Sequence, residues 1–284
     1  MVDLNLEEER ESEPRKVLGL AVAILVILAG AAAIYYFAFV KKPAVPPASL
    51  EPAAAAAVPA GGEKAPAEAE GAPLAFPPVG LADSDPAIRE FAAALSANPE
   101  FAKWLLTKDL VRKFVVAVDN VANGLSPKPH VDFFSPAGGF RVVRTRTGTF
   151  IDEAAYARYA PVAGVAASVD AAAAVRLYRA AKPLIDEAYR DLGYPGVDFG
   201  ETLVRAMAEL LATPVVDGPI AVEQKILSYA MTDTSLEALS AAQKQLLRMG
   251  PKGVRAVQGK VRELAAALGV PESRLPAART ITPR

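Results

Sequence analysis

Val254-Arg-Ala-Val-Gln-Gly-Lys-Val-Arg-Glu-Leu-Ala-Ala-Ala-Leu-Gly269 decides the class of fold. Its large apolar residues, Val254, Val257, Val261, Leu264 and Leu268, recur at spacings of 3, 4, 3 and 4, which places them on one stripe of a helix. Gly269 closes that helix, because a left-handed residue after the last turn is easiest for glycine. Immediately upstream, Met249-Gly250-Pro251 reads as a stop joined to a start. Thr234-Ser-Leu-Glu237 has the form of a capping box, with Leu236, Leu239, Ala242 and Leu246 as the stripe behind it.

Further outward the same period recurs with its own punctuation. Leu203, Met207, Leu210 and Leu211 mark a helix over Glu201–Ala212, ended by Thr213-Pro214. Ala171 to Leu192 carries a second stripe, and Pro183 inside it must kink or split the helix. Asp152 caps a helix bearing Tyr156 and Tyr159, while Asp85-Pro86 and Asn98-Pro99 each read as N-cap and first-turn proline. Phe114-Val-Val-Ala-Val118 is apolar on every face, so its helix is expected to be central and to close at Asn123-Gly124. Residues 125–151 break the period, and a loop excursion with at most a short strand or hairpin is expected there; a further irregular stretch precedes Thr234. The expected architecture is all-α: roughly seven to nine helices over residues 81–269 with one irregular or short β excursion, then a disordered tail over 270–284.

The N-terminal side is of another kind. Val17 to Val40 contains no charge, with Arg15-Lys16 before it and Lys41-Lys42 after it. An apolar run of about 20 residues matches the hydrocarbon core of a bilayer, so a single transmembrane helix is expected over 17–40. A cleaved signal peptide with Ala29-Gly30-Ala31 at its cleavage site is the alternative. The run outlasts the apolar region of a signal and ends in interfacial Tyr35-Tyr36-Phe37. Three bases before the span against two after it favour an N-terminus inside and a translocated C-terminal domain. Gly19-x-x-x-Ala23 and Ala29-x-x-x-Ala33 would let two such helices approach, so a homodimer is a secondary expectation. Residues 41–80 are rich in proline and alanine and offer little to bury, which predicts a flexible linker. Fully extended, it would reach on the order of 120 Å.

Charge and composition exclude several functions. Residues 1–16 hold six acids and three bases, an acidic tail, whereas residues 81–284 hold 25 Lys/Arg against 22 Asp/Glu, too even a balance to imply nucleic acid. With no cysteine, disulfides, thiolate nucleophiles and cysteine metal sites are ruled out. His130 is the one histidine, so a multi-histidine metal site is ruled out too, and the motifs call for no cofactor. Polar residues set in apolar helix stand out instead: Asp119, Asp170 and Arg158. A buried carboxylate is costly unless paired, so these aspartates are expected to meet an arginine or to cap a helix end. The functional alternative makes Asp119 and Asp170 an acid/base pair in a cleft. Arg248, Lys252 and Arg255, with Arg158, are the candidate binding residues for an anionic group, against the alternative of a solvated helix face.

Phe114-Val-Val-Ala-Val-Asp-Asn-Val-Ala-Asn-Gly124, Tyr156-Ala-Arg-Tyr-Ala-Pro161, Tyr178 through Pro195 and Gln243-Lys-Gln-Leu-Leu-Arg-Met-Gly-Pro251 together resemble the domain of unknown function 3014 family of bacterial membrane proteins. The likeness spans about residues 80–268. It implies a single-pass anchor, a variable linker and a Gram-negative envelope location, and it carries over no catalytic residues. The expected protein is therefore an inner-membrane one with its helical domain in the periplasm, acting as a tethered binding or scaffold domain for an envelope protein or polymer. A carboxylate-dependent envelope enzyme is one alternative. A cytoplasm-facing domain that binds anionic lipid or nucleic acid is the other.

Overall fold

In the computed structural model the periodic C-terminal stretch becomes a helix of 19 residues, Gly250–Leu268, closed by Gly269 at φ 80°. The structure describes residues 74–130, 136, 138–226 and 228–282. The acidic tail, the apolar run 17–40 and the linker up to residue 73 lie outside the described residues. Eleven α-helices and six short strands run through the described residues. In chain order they are α1 Asp85–Ala93, α2 Pro99–Trp104, α3 Leu110–Ala122, β1 Val142–Arg144, β2 Thr149–Ile151, α4 Glu153–Ala157, α5 Ala160–Ser168 and α6 Ala171–Ala180. Then come α7 Lys182–Asp191, α8 Phe199–Leu211, β3 Val215–Val216, β4 Val222–Gln224, β5 Tyr229–Met231, α9 Thr234–Glu237, α10 Ala241–Leu247, α11 Gly250–Leu268 and β6 Thr280–Ile281.

Two helices organise the packing. α11 lies against α5, α6, α8 and α10, and α3 lies against α7 and α8. Val254 and Ala265 are fully buried on α11, and Val115 is fully buried on α3. Among the described residues no single helix is long and apolar enough to cross a membrane. α5 and α6 reach that length together but bend by 77° between them. The bend is set by Asp170, whose carboxylate accepts from the Ala173 amide at 2.6 Å and starts α6 in a new direction. Pro183 splits the following run as expected: α6 ends at Ala180, and α7 begins at Lys182 with the proline in its first turn.

Four expectations are corrected. Among the described residues the helices number eleven, and the fold is mostly helical with three two-stranded sheets, β1–β2, β3–β6 and β4–β5. The excursion near 125–151 does contain an antiparallel hairpin, and a second one fills the stretch 222–231. The capping box lies elsewhere: Asp233 caps α9, Glu237 reaches back to the Met231 amide, and the reciprocal pair is Ser240 with Gln243 at the start of α10. Asp85 does not cap its own helix; its two carboxylate oxygens accept from the Asp109 and Leu110 amides at 2.8 and 2.9 Å, at the start of α3. Finally, the domain is longer than 81–269. Leu74, Phe76 and Val79 pack onto the core ahead of it. Beyond it, Leu275 is buried and β6 pairs in parallel with β3. Arg262 holds that C-terminal segment by donating to Glu272 and to the Pro276 carbonyl.

The end of α8 is closed by another helix. Gln258 of α11 is buried and its amide donates to the carbonyls of Leu210, Leu211 and Thr213 at 3.1, 3.2 and 2.8 Å. The last carbonyls of a helix lack intrahelical donors, and here burial denies them water as well. Gln258→Leu keeps the volume and removes the donors, and is expected to cost about 2 kcal/mol in urea denaturation.

Candidate functional site

An amphiphilic cleft opens where the helical layer meets the β4–β5 hairpin. Its volume is about 1210 Å³, beyond the roughly 300–1,000 Å³ of a small-molecule pocket. One wall is α5, through Val162, Val165 and Ala166, continued by Leu246, Met249 and Val257. Phe101 and Trp104 of α2, which packs against α5, also line it, and the hairpin contributes Gln224, Lys225, Ile226 and Tyr229. Two apolar side chains of the lining are turned to solvent: Ile226 is 98% exposed, and Phe140 is 37% exposed while leaning on Tyr229 with ring centroids 5.4 Å apart.

The charged residues of the lining are one-sided. Lys128, Arg158, Lys225, Lys244 and Arg248 stand against one lining carboxylate, Glu237, and Lys225 is paired with Glu223 next to the lining. Glu237 is already committed: it accepts from Lys244 at 2.9 Å and from the Met231 amide at 2.8 Å. Those bonds, the lysine first, hold its carboxyl below the ordinary range. Arg158 donates to the Gly138 carbonyl at 3.0 Å and to that of Ala155 at 3.1 Å, and its guanidinium lies 5.0 Å from the centre of the Tyr159 ring. It thereby ties the loop at Gly138 to α4 without using a carboxylate. Arg248 is exposed and donates to Gln245 at 3.0 Å.

Of the candidate binding residues, the structure thus brings Arg158 and Arg248 to the cleft. Lys252 and Arg255 project elsewhere from α11; both are exposed, and Arg255 pairs with Asp217 at 2.6 Å. The candidate acid/base pair is not assembled. Asp170 is exposed and spent on the N-terminus of α6, Asp119 has different partners, and neither lines the cleft. His130 is exposed at a turn. Among the described residues no group of three or more acidic or histidine side chains is placed to hold a metal.

Asp119 belongs to an aromatic cluster between α3 and α8. Its carboxylate accepts from Asn123 at 3.2 Å and from the Tyr194 hydroxyl at 3.4 Å. Tyr194 stacks on Tyr189, with centroids 4.6 Å apart, and Tyr189 shares a 2.9 Å hydrogen bond with Thr202, to which Arg205 donates at 3.1 Å. Desolvation lifts the Asp119 carboxyl above its ordinary 3.8, against the opposing pull of Asn123, Tyr194 and Arg205. A carboxyl raised in the folded state binds its proton more tightly there than in the unfolded chain. Its contribution to stability is therefore full below the unfolded pKa and is lost as pH rises through the folded one. Asp119→Asn should then gain on the parent protein between about pH 3 and pH 7, read as diverging urea midpoints. Parallel curves would mean that the carboxyl is not desolvated.

Most cleft residues are apolar and carry no sequence mark that separates them from ordinary core residues. The signal available was α5 itself: Ala160-Pro-Val-Ala-Gly-Val-Ala-Ala-Ser168 has no charged face, so a helix there must cover apolar surface on more than one side.

The family profile described as "Protein of unknown function (DUF3014)" matches residues 110–265, which include both arginines and most of the cleft wall. The chain belongs to this DUF3014 family. No curated protein and no solved structure matches it. The DUF3014 match begins at α3 and stops short of the end of α11, so helices α1 and α2 and strand β6 lie outside the matched residues.

Proposed function

We propose that the chain is a membrane-anchored envelope protein whose helical domain binds a ligand or partner in the cleft. Residues 17–40 would hold it in the bacterial inner membrane, the Pro/Ala-rich residues up to 73 would act as the spacer, and the domain would work on the periplasmic side. The observation that carries this reading is the cleft: an apolar floor with a cation-rich rim and no assembled catalytic carboxylates among the described residues. Binding requires concave apolar surface with a few polar groups to orient the ligand, whereas hydrolytic chemistry would need a positioned nucleophile and base. A phosphatase fusion at the C-terminus tests the topology. A photo-crosslinking residue at Gln224, on the cleft rim, is expected to capture a species in intact cells, and one at Ala266, on the exposed side of α11, is not. Equal yields from the two positions would sink the cleft as the binding site.

A further inference from the structure

Resting on that reading, we infer that the cleft takes a single-chain anionic amphiphile, with its alkyl chain along α5, Leu246 and Val257 and its acidic head at Arg158 and Arg248. Two observations select this class. Of the five cations in the lining, Lys244 is paired with Glu237 and Lys225 with Glu223, which among the described residues leaves Lys128, Arg158 and Arg248 as positive charge without a carboxylate for an incoming anion to meet. Most of the apolar floor comes from helices α2, α5, α8, α10 and α11, whose backbone donors and acceptors are turned inward to their own ladders, with Ile151, Val222 and Met231 of the strands completing it. An extended peptide laid along those helices would bury amide groups with nothing to pair, at a cost comparable to a lost hydrogen bond for each. An alkyl chain brings no such groups, and its burial is favourable along its whole length. The cleft volume of about 1210 Å³ suits an elongated chain better than a compact metabolite.

The chain carries its own reporter. Trp104 is the single tryptophan of the sequence and it lines the cleft. The full-length protein, reconstituted in phosphatidylcholine nanodiscs, is titrated with 9,10-dibromostearate, whose bromines quench indole fluorescence on contact. Saturable quenching, reversed by unbrominated stearate, is the expected result. The double variant Arg248→Ala/Lys128→Ala, at two exposed positions, should weaken it by about tenfold, and Arg248→Lys should stay near the parent. Non-saturable quenching, an equal response to the uncharged 9,10-dibromostearyl alcohol, or an unchanged response of the double variant to the acid would overturn the proposal. Quenching by brominated phosphatidylcholine of the disc, before any acid is added, would overturn it in favour of docking on the bilayer surface. If stearate is inert while Gln224 still captures a protein in cells, the ligand class fails and the cleft as a binding site survives. If neither occurs, both fail.

Discussion

Gly250→Ala is expected to destabilise the domain by about 3–4 kcal/mol, enough to remove a large part of the stability of an ordinary domain. Gly250 has φ 71°, where an L side chain costs roughly 1–2 kcal/mol. A Cβ there would also fall 2.7 Å from Cγ and 2.9 Å from Cβ of Tyr156. Tyr156 has little room to yield. It packs against the cluster of Ile151, Leu236 and Leu247, and burial, ahead of the nearby Glu153, pushes its hydroxyl pKa up to about 12. The same helix supplies the control. Gly259 is exposed, and nothing lies within 4 Å of its added Cβ, so Gly259→Ala should stabilise by roughly 0.5–1 kcal/mol. Urea midpoints of the two variants should move in opposite directions. Equal shifts would show that helix propensity, and not the contact with Tyr156, governs α11.

Phe199→Ala is the second large effect, at about 3–5 kcal/mol. Phe199 is fully buried at the start of α8, edge-on to Tyr189 at 5.2 Å and tilted against Phe114 at 5.8 Å. It is the point where α3, α7 and α8 meet, so truncation leaves a cavity that all three elements border. Asp198 caps α8 through the Gly200 amide and pairs with Lys182, which fixes the backbone and hinders collapse into the space. Phe199→Leu should recover a large share of the loss, because it restores most of the volume. Should alanine and leucine cost the same, the aromatic contacts and not the cavity would be responsible. The cleft residues fall in other clusters of the core, so truncating Phe199 does not test ligand binding directly.

The two variants also separate what was legible in sequence from what was not. Periodicity at 254–268 and punctuation by Gly269, Pro183, Asn98 and Asp152 act within a few residues, and the structure places a helix boundary at each. Pairing across the chain left no such mark. Asp85 reads as the cap of the helix it begins, but its carboxylate serves α3, 24 residues away in sequence at the Asp109 amide. The tail beyond Gly269 has the composition of a loop, and it is ordered because Arg262 and the edge of β3 are there to receive it.

The candidate site divides in the same way. Arg158 and Arg248 stand out in sequence as cations beside apolar residues, and the structure sets both on one cleft. Arg255 has the same sequence context but meets Asp217, a residue 38 positions away. What the sequence by itself determined is helix placement and the inventory of charge, because capping, proline geometry and the 3.6-residue period are local properties of the chain. What only the tertiary structure decided is which charges stay uncompensated and where apolar surface is left concave. Both depend on which elements meet, and that is set by packing between residues far apart in sequence.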